Sequence, residues 1–425
     1  MRKMKDSGIE WVGEIPQDWT IIRTLYTLRM PLTDGPHTTP ELYDDGIPFV
    51  SAEAVTCGKG KIDFSHIRGY ISEDFYLECC KKYIPQMYDI YMIKSGATTG
   101  NVSIVDTDIK FTIWSPLAVF RCNEDIVRHQ FLFYSLQADY YLKQVETNWN
   151  YGTQQNIGMR TLEKLYLCLP PIEEQEKIAR FLDEKCEHID TLVKDLRKQI
   201  ELLEDYKKSL ITETVTKGLN SHSKMKDSGI KWIGDIPEHW EVKKLKYITL
   251  QRNEKGLFKS NQDIYISLEN VMSYSDTLLE TSSEYEDSIQ SVCHAGDIMF
   301  NKLRPYLAKV IIAPYNCFCT GEFLQFCSFN GDNRFLKYFM LSDGFIKIVN
   351  ASTYGVKMPR ANTDFIINLL MTYPPIEEQK AIADYLDEKC KTIDKIISEK
   401  KQQIKTISEY KKSLIFEYVT GKKEL

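Results

Sequence analysis

The sequence has no apolar run approaching the roughly eighteen residues a membrane-spanning helix needs, and its opening segment MRKMKDSGIEW lacks the apolar core of a secretory signal. The expectation is a cytoplasmic protein with no membrane partner. The 11 cysteines are an odd number, and their closest groupings are Cys79 with Cys80 and Cys317 with Cys319. Neither a disulfide framework nor a zinc site, and no other metal centre, is expected from that spacing. Catalytic signatures are missing as well. There is no GxxxxGK(S/T) loop, since GATTG at 96–100 has no lysine after it, and there is no GxSxG or HExxH. The proline pairs of LPPIEEQ and YPPIEEQ follow Leu169 and Tyr373, where an amino-methyltransferase motif requires a polar residue. Asp235, Glu241 and Lys243 outline a magnesium-nuclease D…ExK pattern, yet the matching stretch after Trp19 reads TIIR. A non-catalytic chain without a cofactor of its own is expected. Finally, there is no basic surplus: 54 Lys and Arg stand against 60 Asp and Glu, a net charge of -6. Taken whole, that balance argues mildly against nucleic acid, but a chain-wide sum does not describe a local cleft.

Proline and glycine are also absent between Pro171 and Gly218, and this absence organises the chain. The stretch begins PPIEEQEKIARFLDEKCEHID and returns at Pro374 as PPIEEQKAIADYLDEKCKTID, aligned at a constant offset of 204 residues through YKKSLI. A Pro pair can open a helix because first-turn amides need no partner, and Glu173 and Glu174 suit the positive end of the helix dipole. Ile189, Val193, Leu196, Ile200, Leu203 and Leu210 recur in steps of three, four or seven, drawing one narrow apolar stripe. The second copy shows Ile393, Ile397, Ile404, Ile407 and Leu414, with Lys400 where Leu196 stood. Two helices are predicted, at 170–217 and within 374–425, each packing its stripe on the other as a coiled coil. About 45 residues at about 1.5 Å each make a rod of roughly 65 to 70 Å.

The rest of the chain is duplicated too. MKDSGIEWVGEIPQDW at 4–19 returns as MKDSGIKWIGDIPEHW at 225–240, an offset of 221 residues. A frame motif at 1–19 therefore precedes block one at 20–169. Residues 218–240 hold a linker and the second frame motif, and block two covers 241–373. In block one, IPFVSAEAV, YDIYMI, NVSIVD and PLAVF read as strands, followed by a helix from Asp125 to about Val145. Block two gives IYISLENV, GDIMFNKLRPYLAKVII and FLQFCSF, then a helix from Arg334 to Val349. The fold class expected is α/β, in the mixed α+β sense: two similar globular domains joined by two long antiparallel coiled-coil helices, a pseudo-twofold tandem repeat.

Polar loops at matching places in the blocks carry the binding chemistry. Block one offers Lys94, Ser95, Thr98, Thr99 and Asn101 around a Gly-rich turn, then Asn150, Tyr151, Thr153, Gln154, Gln155 and Asn156 in a later loop. Block two offers Asn301, Lys302, Arg304 and Tyr306, then Tyr354, Lys357, Arg360 and Asn362. Amides can make bidentate contacts to adenine, Arg and Lys reach guanine or phosphate, and Tyr hydroxyls reach the sugar-phosphate chain. The set can read DNA. An alternative use of the same architecture is a coiled-coil adaptor that recognises proteins and has no affinity for duplex DNA.

The frame motifs GEIPQDW and GDIPEHW, the turns in KSGATTGNVSIV and NKLRPYLAKVII, the GTQQNIG loop and the two PPIEEQ helices together resemble the specificity subunit of type I restriction-modification systems. The resemblance spans nearly the whole chain. It implies that each block is a target recognition domain reading one half of a bipartite site in double-stranded DNA. It further implies that the helices set the spacing and dock two methyltransferase subunits, to which restriction and motor subunits add. S-adenosylmethionine, ATP and magnesium would then belong to those partners. In block two the GTQQNIG loop is replaced by STYGVKMPRAN, so that loop can differ in role between the halves. Exchanging block two for that of a related protein should change one half of the methylated site only, as read by methylation sequencing; a change in both halves would refute independent reading.

Overall fold

The computed structural model describes residues 2–151, 155–260, 262–275, 277–279, 286–355 and 357–425. Two compact units divide the chain, Met1–Asp195 with Gln403–Leu425, and Leu196–Gln402. Both repeat one order of elements. In the first unit Met4–Asp6 pairs antiparallel with Glu14–Pro16, and Gly13 takes the positive φ (+68°) that lets this frame hairpin close. Thr20–Arg23 then pairs antiparallel with Tyr166–Leu169, the strand that leads into the first long helix. Block one is therefore a loop thrown out between two neighbouring strands. The second unit repeats this with Met225–Asp227 on Asp235–Pro237 and Glu241–Lys244 on Leu370–Tyr373.

Inside each block lies a four-stranded antiparallel sheet of the same order. Its strands are Thr33–Asp34, Leu117–Phe120, Ile90–Ile93 and Val102–Ile104 in the first unit. In the second they are Leu250–Gln251, Phe323–Cys327, Ile298–Asn301 and Val310–Ile312. A second sheet accompanies each, three-stranded in the first unit and four-stranded in the second, and contains a parallel pair: Ile47–Val50 with Thr112–Ile113, and Tyr265–Ile266 with Cys317–Cys319. The central strands Ile90–Ile93 and Ile298–Asn301 are buried at every position, which is why they read as apolar runs, broken only by Asn301, rather than alternating ones.

The helix expected from Asp125 to Val145 is two helices, His129–Gln137 and Asp139–Thr147, and that expected from Arg334 to Val349 is Asn333–Leu341 and Asp343–Ala351. The breaks fall at Ala138 and Ser342, both in extended conformation with ψ near 140°. At the second break Ser342 Oγ caps Phe339 O at 2.6 Å, and the freed Asp343 amide donates to Thr212 Oγ1 at 2.9 Å on the long helix. There one side-chain hydroxyl donates to a helix carbonyl and another accepts from the amide that the helix leaves free.

The long helices run Ile172–Lys217 and Ile376–Val419. They are antiparallel in both units. Phe181 meets Tyr418 and Asp190 meets Lys411 in the first, while Gln199 meets Lys400 and Lys207 meets Asp394 in the second. Ile189, Ile200, Ile393, Ile397 and Leu414 of the stripe are buried, and Val193, Leu196, Leu203, Leu210, Ile404 and Ile407 are half-buried. Lys400, the departure in the stripe, turns its ammonium to Gln199 Oε1 at 2.6 Å. Each unit's core takes in the end of the other repeat's helix: Leu414, Ile415 and Val419 join the first core, Ile211 and Val215 the second.

The PPIEEQ motif is the junction that ties these parts together. Gln175 is fully buried; its Oε1 accepts from Arg128 N at 2.9 Å, and its Nε2 donates to Ile126 O at 3.1 Å and Pro170 O at 2.9 Å. Gln379 repeats two of these bonds, with Asp332 N at 3.0 Å and Pro374 O at 2.8 Å. One residue before each, Glu174 and Glu378 accept the indole N–H of the buried frame residues Trp19 and Trp240 at 3.1 and 3.0 Å. A Gln175→Leu substitution strands buried backbone groups and is expected to lower stability by about 2–4 kcal/mol, read by denaturant unfolding. A loss below about 0.5 kcal/mol would mean the amide is not the junction described.

Candidate nucleic-acid interface

The two polar loops of each block, far apart in sequence, are brought together by backbone hydrogen bonds. In the first unit the turn between Ile90–Ile93 and Val102–Ile104 carries Gly96 and Gly100 at φ of +100° and +95°, conformations that side chains resist. Gly96 N donates to Gln155 O and Ile157 N to Lys94 O, each at 2.9 Å, and Ser95 lies opposite Asn156 as an isolated bridge. In the second unit Ala361 N donates to Lys302 O at 2.9 Å and Arg304 N to Pro359 O at 2.7 Å. Ile157 and Ala361 are equivalent at the 204-residue offset, so the same bond is made twice.

The predicted residues divide by exposure. In the first unit Asn101, Gln155 and Asn156 are exposed; Ser95 and Thr98 are half-buried. Thr99 Oγ1 donates to Gly96 O at 2.7 Å and so shapes the turn. Lys94 is 13% exposed and lies beside the carboxylate of Asp34. Tyr151 contributes its backbone to a pairing with Gln155; its side chain, and Gln154, lie outside the described residues. In the second unit Tyr306, Tyr354, Lys357 and Arg360 are exposed, and Tyr354 and Arg360 exchange backbone bonds at 3.1 and 3.0 Å. Arg304 holds a left-handed backbone (φ +52°) ahead of Pro305. Arg360 Nε donates to Glu322 Oε2 at 3.0 Å, which aims the guanidinium across the turn. Lys302 is half-buried, and desolvation holds its ammonium below the usual lysine range.

Two residues fill structural posts, one of them buried. Asn301 is fully buried; its Nδ2 donates to Leu303 O at 2.9 Å and Arg304 O at 3.1 Å, and its Oδ1 accepts from Lys309 N at 2.9 Å. With those bonds spent on the hairpin, Asn301 is corrected from reader to scaffold. Asn362 is exposed but caps Thr363–Ile367, its side chain accepting from Asp364 N at 2.7 Å.

Sequence reasoning passed over the ion pair beneath each hairpin. Asp89, directly before Ile90–Ile93, is buried and takes a bidentate contact from Arg121, Nε and Nη2 each at 2.7 Å. Hydrogen bonding to that carboxylate raises Arg121 above the ordinary arginine range. Asp297, directly before Ile298–Asn301, is gripped by Arg252 in the same bidentate way. The carboxylate keeps its place in both blocks, while its arginine comes from a different strand end. An Asp at the start of the central apolar run in both YDIYMI and GDIMF was the available signal. Of the nuclease-like set, Glu241 is ion-paired with Lys243 at 2.6 Å, and among the described residues no group of three or more His, Cys, Asp or Glu converges on a cation position.

Comparison with known proteins places this geometry. A family model for the type I restriction modification DNA specificity domain matches residues 38–202 and again 237–406. The type I restriction enzyme MjaVIII specificity subunit of Methanocaldococcus jannaschii is 28% identical over 96% of this chain and 93% of its own length. The type I restriction enzyme EcoDI specificity subunit of Escherichia coli is 21% identical over 67% of this chain and 68% of its own. A chain solved in work on complex assembly and conformational transition of the type I R-M system superposes with a TM-score of 0.70. It shares 15% identity over 96% of this chain and 99% of that one, a likeness of fold. With two copies of the family domain covering most of its length, and each copy coinciding with one block and one long helix, this chain belongs to the type I restriction modification DNA specificity family.

Proposed function

We propose that this chain is the DNA-reading subunit of a type I restriction-modification complex, that each unit reads one half of a bipartite duplex site, and that bond-making chemistry is performed by companion methyltransferase and restriction subunits. The observation that carries the reading is the repeated clasp between hairpin turn and later loop, which holds Asn101, Gln155 and Asn156 outward in one unit and Tyr306, Tyr354, Lys357 and Arg360 outward in the other. Amides on one and Arg, Lys and Tyr on the other supply different hydrogen-bond patterns, so the two half-sites would differ in sequence. S-adenosylmethionine, ATP and magnesium are assigned to the companions, and the complex to the cytoplasm. No helix of the described residues is long and apolar enough to cross a membrane.

The long helices would fix the gap between half-sites. A stiff spacer turns two weak readers into one selective binder, because the second contact becomes intramolecular only when the separation is right. In this family reading the helix faces left polar by the narrow stripe are where companions dock.

Two outcomes test this. Gln155→Ala with Asn156→Ala is expected to relax or change one half of the methylated sequence and leave the other as it was. Loss of both halves would contradict separate reading, and no duplex binding by the assembled complex would return the protein-adaptor alternative. For the spacer, antiparallel pairing requires that both helices be lengthened together, so one heptad is inserted after Lys198 and one after Gln402, its equivalent at the 204-residue offset. About 10.5 Å of added helix should lengthen the gap by about three base pairs with both half-sites unchanged; an unchanged gap would remove the ruler.

A further inference from the structure

Beside the reading hairpin of the first unit stands a cluster that the proposed function does not use. Asp34, on the edge strand Thr33–Asp34, has a carboxylate only 1% exposed, and two lysines and a histidine converge on it. Lys82 Nζ contacts Oδ1 and also donates to Gly35 O at 3.2 Å. Lys94 Nζ and His37 Nε2 each lie 3.3 Å from Oδ2, neither in hydrogen-bond geometry. One carboxylate thus faces two permanent positive charges and an imidazole, leaving the cluster net positive in a chain whose overall charge is negative.

The segment that follows is pressed into place. Gly35 is buried so tightly that a Cβ would fall 2.0 Å from Ile113 O and 2.7 Å from the carbonyl carbon of Trp114. That contact anchors the segment while His37, Thr38 and Thr39 stay exposed. The exposed Arg68 guanidinium stacks 4.4 Å over the Trp114 ring, adding a cation at the same anchor. Lys82 is 47% exposed, and two of its three N–H groups are accounted for by Asp34 and Gly35, leaving one for a solvent-side acceptor. The acidic residues further on, Glu41, Asp44 and Asp45, belong to a run fixed elsewhere, through backbone bonds between Tyr43 and Tyr70 at 2.8 and 3.0 Å.

We infer that Lys82, with His37 on the Gly35–Pro40 segment and Asp34 as the positioning residue for both, takes one phosphodiester of the DNA backbone and so fixes the register of the adjacent reading hairpin. A net-positive cluster with a free N–H donor, linked through Lys94 to the reading hairpin, is what phosphate contact asks for, and such contacts orient a reader without carrying sequence information. The inference rests on the DNA-reading function proposed above. It goes beyond it in separating a backbone-positioning element from the base-reading turn and later loop. Lys94, only 13% exposed, serves here as a brace between Asp34 and the hairpin.

The test uses the full chain assembled with its methyltransferase subunits and a duplex oligonucleotide carrying the methylated site, with Lys82→Gln and His37→Gln as variants. Both side chains reach solvent, His37 at 72% and Lys82 at 47% exposure, and Lys94 stays beside the Asp34 carboxylate in either variant. Binding is measured across a salt series, and the methylated sequence is read in parallel. For Lys82→Gln the slope of log K against log salt should become less negative by about 0.9, and affinity should fall several-fold on every duplex tested, with the methylated sequence unchanged. His37→Gln should weaken binding in the same sequence-independent way. An unaltered slope with binding intact overturns this inference alone. A changed base preference in one half-site overturns the phosphate assignment by making the cluster a base reader. Absence of duplex binding by the unsubstituted complex overturns the DNA-reading function and this inference with it.

Discussion

The indole N–H of a buried tryptophan, donated to a glutamate in the first turn of a long helix, is the constraint from which the rest of the structure follows. Trp19 bonds Glu174 and Trp240 bonds Glu378, each across more than a hundred residues of intervening block. Each tryptophan is also held against a glycine at the end of a long helix: Gly421 would place a Cβ 3.2 Å from Trp19, and Gly218 would place one 3.0 Å from Trp240. The same ring therefore senses the start of one helix and the end of the other. Because the two contacts come from different repeats, neither repeat can complete its core from its own helix.

That arrangement frees the blocks to vary. A block enters and leaves its unit on neighbouring antiparallel strands, Thr20–Arg23 with Tyr166–Leu169 and Glu241–Lys244 with Leu370–Tyr373, so its length and loops place no strain on the frame. What the blocks share is the four-stranded sheet, the ion-paired aspartate under the hairpin and the clasp between turn and later loop. What they do not share is the chemistry at the exposed tip. A scaffold fixed by buried, fully paired groups can present different polar residues at low cost, because solvated tips pack against nothing.

The repeat and the helices were legible because they leave long-range traces in a one-dimensional string: a constant offset, a Pro- and Gly-free run, an apolar stripe. The break of the block helices at Ala138 and Ser342 was not legible, since nothing in QAD or LSD forbids helix; at Ser342 the cause is an acceptor, Thr212 Oγ1, more than a hundred residues away. The structure joins the loops at matching positions, but Asn301 looks like a reader in composition and is a buried hairpin brace, while Asn362, exposed, also caps a helix. An amide has the same hydrogen-bonding groups whether it meets a base or a backbone, and only the packed structure shows which partner it takes.

By itself, then, the sequence determined the duplication, the two long helices with their apolar stripes and the two matching sets of polar loops, because periodicity and repetition are properties of residue order. Tertiary structure alone decided which amides remain free, which aspartates are buried under arginine, and that each core is finished by the opposite repeat's helix. Those outcomes depend on which groups water can still reach once the chain is packed, and the desolvation of one side chain is set by neighbours that its own stretch of sequence does not name.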